Sequence, residues 1–301
     1  MAVIRHLSDP KVCLDLVAEA KWGTKGPECP KCASKRLSFL STRMMWKCLD
    51  CQKQFSVKVG TIFEDSPIPL DKWLCAMWMV ANCKNGVSSY EVARALEVSQ
   101  KAAWFMLHRI RYAMHTGSIN KMTGTVEADE TFIGGKARNM HAGKRSRKIH
   151  GRGPDGKAIV FGLLDRETKR VRTCVVDRRK KHNLQAEIRS NVTAGSALYT
   201  DALKSYDGLE EYTHKVVDHA EAYVDGNVHT NCLENFWSLL KRAIRGTYVS
   251  VEPFHLFRYL DEQSFRFNER KETDSERFQK VLNSISGRRL TWNTLTCQEA
   301  G

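Results

Sequence analysis

Cys29 and Cys32 form one Cys-x-x-Cys pair, Cys48 and Cys51 form a second, and 15 residues separate Cys32 from Cys48. Two such knuckles approaching from opposite sides give four thiolates in a tetrahedron, the geometry of zinc. Four cysteines leave no open coordination position, so the spacing predicts a structural zinc ribbon over 27–58 rather than a catalytic metal. Between the knuckles, "RLSFLSTRMMWKC" reads as a β-hairpin. The metal replaces the apolar core that so small a module lacks. Two separate redox pairs are the competing reading.

Charge narrows the partner. In 301 residues, 48 Lys and Arg against 34 Asp and Glu leave a net charge of +14. That excess points to a polyanion, with nucleic acid ahead of an anionic membrane. The longest apolar run, Trp73–Cys83, is too short to span a bilayer, and 1–6 does not open a secretory signal. An intracellular, reducing compartment is therefore expected, which suits thiolate ligands. The glycines near Lys144 lack the spacing and the Ser/Thr of a phosphate loop, so no nucleotide cofactor is expected.

A helical leader over 1–26 precedes the ribbon, and 59–118 is mostly helical. Ser88 or Ser89 can cap a helix carrying Val92 and Leu96, and Ser99 a second carrying Ala103, Met106, Leu107 and Ile110. Two short helices with a tight turn are the helix-turn-helix pattern. Gln100, Lys101 and Trp104 would then face DNA, with Arg109 and Arg111 reaching phosphates; an ordinary helical hairpin is the bland alternative.

From 119 the period changes to that of strands. Three strands, a helix, a strand, a further strand and long helices give an α/β domain over 119–275 in the order of a ribonuclease-H-like core, a mixed sheet flanked by helices. Three acids stand out there. Asp129 lies mid-strand in "VEADET", Asp201 ends a strand in "ALYTDALKSY", and Glu234 opens a helix in "HTNCLENFWSLLKR". A carboxylate in a buried strand is costly unless it is paired or holds a cation. Converging, the three can hold two Mg²⁺ or Mn²⁺ ions for phosphodiester chemistry. Taken singly, Asp129 can be a strand-edge charge and Glu234 a capping box with Asn231. Lys241, about two turns beyond Glu234, shares its face at roughly 10 Å and suits a phosphate. Basic runs follow the strands, with Lys144, Arg145, Arg147 and Lys148 in one and Arg178 and Arg179 in the other; DNA backbone is their expected ligand. The tail over 276–301 is polar and basic, without a readable role.

The stretches "CPKC…WKCLDCQKQFSVKVGTIFEDSPIPLDKW", "ALEVSQKAAWFMLHRIR", "VEADETFIGGK", "YTDALKSY" and "HTNCLENFWSLLKRAIRGTY" together resemble the DDE transposases of bacterial insertion sequences, in the ISXO2-like group related to Merlin elements. The resemblance spans roughly 5–275. It implies a ribonuclease-H-like core that cuts element ends and joins the 3′-hydroxyl to target DNA, with divalent metal and no covalent enzyme intermediate. It implies Asp129, Asp201 and Glu234 as the successive acids and Lys241 as the lysine that follows; Asn231 is a less favoured rival for the third position. Double-stranded DNA, a homodimer or larger assembly, and a bacterial cytoplasm with nucleoid association are the expected partners and place. A non-enzymatic DNA-binding regulator and a nuclease that only hydrolyses are the competing functions.

Overall fold

The computed structural model describes residues 5–115, 117, 120–135, 137–149, 156–217 and 229–296. The chain divides into two compact units, 1–115 with 272–301, and 116–271. In the first, α1 (Pro10–Trp22) begins at Asp9, whose carboxylate accepts the Lys11 N–H at 2.8 Å, and ends at Gly23 with φ +53°. Strands β1 (Leu37–Leu40) and β2 (Met45–Cys48) form an antiparallel hairpin that sets Leu37 opposite Cys48, and β3 (Gln54–Phe55) pairs beyond β2. The buried core here is only Cys29, Cys48 and Phe55, with Trp22 and Trp46 packed on it.

Helices α2 (Leu70–Asn82), α3 (Ser89–Leu96) and α4 (Gln100–Met114) follow. Ser88 and Glu91 cap α3 reciprocally, Glu97 turns the chain in a left-handed conformation (φ +50°), and the Ser99 hydroxyl accepts from Ala102 N to start α4.

The second unit is a five-stranded mixed sheet. Its strands are β4 (Thr125–Ile133), β5 (Ala158–Asp165), β6 (Arg170–Val176), β7 (Ala197–Asp201) and β8 (Thr213–Val217), in spatial order β6-β5-β4-β7-β8. The pairs β4–β5 and β5–β6 are antiparallel, whereas β7 and β8 run parallel to β4. Helix α5 (Ala142–Lys148) follows β4, and α6 (Lys181–Asn191) precedes β7. The last strands lead to α7 (Asn231–Ala243) and α8 (Leu256–Asn268). Alternation along β4 serves two cores: Val126 and Ala128 pack with Leu184 and Ile188 of α6, while Ile133 joins Leu233, Phe236, Trp237 and Leu240 of α7 and Leu260 of α8. Odd positions of β4 therefore face α7. Strand β5, between β6 and β4, is buried on both faces, which its unbroken apolar run required.

From Glu272 the chain returns to the first unit. Helix α9 (Asp274–Leu282) is capped by Thr273 with Glu276 and lays Phe278 against Trp78 of α2, ring centroids 5.7 Å apart; α10 (Trp292–Thr296) follows. Backbone bonds from Ile62 N to Ile285 O and from Gly287 N to Gly60 O stitch the segment in place. The described part of the stretch read as a tail, 276–296, thus contributes to a core. Among the described residues no helix is long and apolar enough to cross a membrane.

Candidate active site

The first acid is held at both oxygens. Asp129 Oδ2 accepts from Trp237 Nε1 of α7 at 2.9 Å, and Oδ1 from Glu130 N at 2.8 Å. Burial pushes its carboxyl up to about 7; the Trp237 bond opposes this, and the charges of Glu130 and Asp201 add to it. Gly162 lies opposite Asp129 in β5, and a Cβ there would meet the Trp237 ring at 2.7 Å. Glycine at 162 is what lets the indole reach the carboxylate.

The parallel register of β4 and β7 pairs Thr125 with Ala197 and Glu127 with Tyr199. Carried two residues further, it sets Asp201 abreast of Asp129 on the α7 face. Asp201 Oδ1 accepts from Leu203 N at 3.2 Å. Glu234, in the first turn of α7, and Lys241, two turns on, line one cleft of about 550 Å³ with Asp129, Glu130 and Trp237; Asp201 is not in its wall. Ser238, Arg242 and Arg245 complete the helical side of that cleft. Burial, then the neighbouring Arg245, pulls the Lys241 amine below its ordinary value. Among the described residues no three carboxylates bring their oxygens within 4.8 Å of one another. The N-cap of α7 is Thr230, without a side-chain cap bond, so Asn231 and Glu234 do not form a capping box.

Two further acids hold the frame. Glu130 accepts from the Tyr206 hydroxyl at 2.7 Å and pairs with Arg179 at 3.2 Å, tying the turn after Asp201 to β4. Glu127 is fully buried; Oε1 pairs with Arg166 Nε at 2.6 Å and Oε2 accepts from Leu233 N at 3.0 Å, at the start of α7. Neither stands out in the sequence beside Asp129. The alternation of β4 already placed Glu127 on the same face as Asp129, which is the signal that could have found it.

In the first unit the four thiols of Cys29, Cys32, Cys48 and Cys51 are free, and their sulfurs all lie within 4.8 Å of one another. The Cys29–Cys51 and Cys32–Cys48 separations are 3.5 and 3.6 Å, close to the roughly 3.8 Å edge of a tetrahedron with Zn–S of about 2.3 Å. Backbone N–H groups of Cys51, then Asp50, pull the Cys48 thiol down to about 6, against its burial. The cluster fits structural zinc.

The expected DNA contacts divide. Lys101 is exposed, its amine 4.4 Å from the Trp292 ring centroid, while Gln100 is half-buried and donates to the Ser89 hydroxyl at 2.9 Å. Arg109 and Arg111 are a correction: they are only 4% and 1% exposed and cannot reach phosphates. Arg109 donates to the carbonyls of Ile62, Glu64 and Leu290, bracing the interior. Arg145 and Arg147 are exposed on α5; the side chains of Lys144 and Lys148 lie outside the described residues. Arg178 is exposed, and Arg179 is engaged by Glu130 and stacks over Phe132.

Residues 121–268 match the family model of the ISXO2-like transposase domain, and 8–54 that of the transposase zinc-ribbon domain. A protein of the transposable element ISH50 from Halobacterium salinarum, itself uncharacterized, is 28% identical over 255 residues, covering 80% of this chain and 85% of that one. An uncharacterized transposase-like protein of Haemophilus influenzae is 32% identical over 101 residues, 33% of this chain and 81% of its own.

Proposed function

This chain belongs to the ISXO2-like transposase family, and on that premise we propose that it binds the terminal repeats of an insertion sequence, cuts DNA there and joins the freed 3′-hydroxyl to a target. The observation that carries this reading is Asp129, a half-buried acid pinned by the helix that also brings Glu234 and Lys241 into its cleft. The strand order, third-second-first-fourth-fifth with only the second antiparallel to the rest, supports a ribonuclease-H-like core.

A carboxyl raised to about 7 beside other acids gains from a divalent cation, so the donor set fits one. Asp129, Asp201 and Glu234 would hold two Mg²⁺ or Mn²⁺ ions, which when bound supply Lewis-acid polarisation of the phosphodiester and a nucleophile active at neutral pH. Trp237 keeps Asp129 aimed at the cleft. Lys241 offers its ammonium to the phosphate's non-bridging oxygens. In cutting, water bonds to phosphorus and the 3′ oxygen leaves with a proton. In joining, that 3′-hydroxyl gives up its proton as its oxygen bonds to a target phosphorus, and the target's own 3′ oxygen leaves and takes up a proton.

The zinc ribbon and the α3–α4 pair, with exposed Lys101, are proposed to hold the element end, and Arg145, Arg147 and Arg178 its backbone. Joining requires two ends at once, so the working form is a homodimer or a larger assembly on DNA.

The test incubates the protein with Mg²⁺ or Mn²⁺, labelled duplex carrying the repeats that flank its gene, and a plasmid target, beside Asp201→Asn. Joined product from the parent alone is the expected result. Equal product from both sinks the carboxylate assignment, and binding without cutting in either favours a regulator.

A further inference from the structure

Helix α7 and the turn that continues it present a stripe of alternating purpose to the cleft. Glu234, Ser238, Lys241 and Arg245 recur at steps of four, three and four, which at about 100° per residue keeps all four within roughly 60° of arc. The stripe begins acidic and ends basic. Lys241 and Arg242, with Arg245 beyond them, put three cations in the same wall, and of these Lys241 also feels the Asp129 carboxylate. The cleft also holds Asp129, Glu130 and Glu234, so acids and cations are equal in number; the cations gather toward the C-terminal end of the helix, where a backbone phosphate lying beyond the acids would meet them.

Arg245 is also held differently from an ordinary surface arginine. It lies in one turn of π-helix, Ile244–Tyr248, that continues α7, and π-turns commonly mark functional positions. Ile244 is buried in the α7–α8 core. The Tyr248 hydroxyl donates to Glu262 of α8, and the same carboxylate pairs with buried Arg266. Tyr248 also meets Tyr259 edge-on at 4.8 Å. Both ends of the turn are fastened to a buried network, while Arg245 between them is exposed. Its backbone is therefore fixed and its guanidinium faces the cleft.

We propose that Arg245 is a DNA-contact residue of the cleft that grips a backbone phosphate adjacent to the one held beside the carboxylates. This rests on the reading of the cleft as a strand-cutting site. Four residues beyond Lys241 is a rise of about 6 Å, a stride suited to the next phosphate along the same strand. A planar guanidinium makes two parallel bonds to a phosphate, which an ammonium cannot, so the position calls for arginine.

The experiment measures binding of the full chain to the repeat-bearing duplex, without added Mg²⁺ or Mn²⁺, with one phosphate at a time neutralised as a methylphosphonate. The parent, Arg245→Gln and Arg245→Lys are compared, and an unchanged melting temperature verifies that each variant is folded. In the parent, neutralising either of two adjacent phosphates weakens binding about tenfold or more. In Arg245→Gln one of those two ceases to matter, and the slope of log affinity against log salt falls by about one. Arg245→Lys restores the slope but not the full affinity. An unchanged slope in Arg245→Gln, with every phosphate costing what it costs the parent, overturns the proposal. If the parent joins no ends when Mg²⁺ is supplied, the strand-transfer reading fails, and the binding map still decides Arg245.

Discussion

Replacing Glu127 by Ala should loosen α7, the helix that carries Glu234. Glu127 is fully buried and Arg166 is only 14% exposed at its side chain, so their 2.6 Å pair sits largely out of water. The guanidinium also donates to His229 O at 2.8 Å and lies over the Tyr199 ring at 4.9 Å. Removing one partner of such a pair costs about 3–5 kcal/mol, because the other charge stays buried. The Leu233 N–H loses one of its two acceptors but keeps the Thr230 carbonyl at 3.0 Å, so this adds little to the first term. A net loss of about 4 kcal/mol is expected, a large share of the roughly 5–15 kcal/mol that holds a domain. Glu127→Gln keeps an acceptor for Leu233 N and should lose about half as much. Exchange of Glu127 for Leu together with Arg166 for Met should recover most of it, since no charge is then stranded. The two units need not unfold together, so a single melting curve is the wrong assay. Hydrogen exchange of the 231–243 peptide reads the opening of α7 directly. A Glu127→Ala change worth less than about 1 kcal/mol there, or a double variant no better than the single, refutes the argument.

Four other outcomes follow from the same reasoning. Zinc should be present at one equivalent in the parent and lost in Cys48→Ser, with exchange protection over 27–58 lost alongside, because three buried residues cannot hold the ribbon without the metal. Arg109→Met should cost at least about 2 kcal/mol by stranding the carbonyls of Ile62, Glu64 and Leu290, yet leave the salt slope of DNA binding unchanged. Gly162→Ala should push the Trp237 ring off Asp129, costing about 1–3 kcal/mol in packing and about a hundredfold in strand-transfer rate. Burial lowers the Lys21 amine from 10.5 to about 8, so the unfolded chain binds the extra proton between those values. The stability of the parent relative to Lys21→Met should rise across pH 8 to 10.5 and fall back as pH drops through 8, read by urea unfolding at each pH.

The elements were legible because their periods are local. The hairpin of the ribbon, the caps at Ser88 and Ser99, and the five strands all follow from apolar spacing and turn residues within a dozen positions. The failures share a different property. Arg109 looked like a phosphate contact because its helix reads as amphipathic, but its environment is set by carbonyls 45, 47 and 181 residues away. The segment from Glu272 looked like a tail because its sequence is polar, and only the α2 surface it covers gives Phe278 a place to bury.

The cleft shows the same division at closer range. That Asp129 needed a partner was readable, since an acid in an apolar strand is costly without one. Which group would hold it was not, since Trp237 satisfied the simpler account of a core aromatic at helical spacing. It is both: buried in the α7 face and donating its indole N–H into the cleft. Gly162 then acquires a reason that no turn or positive φ supplies, because its missing side chain is the space the indole occupies. The acid, the indole and the glycine stand on three elements, 108 residues apart at the ends. An acid that stands out along the chain therefore says where to look for a site, and the residues that aim it emerge only when the strands and helix are packed.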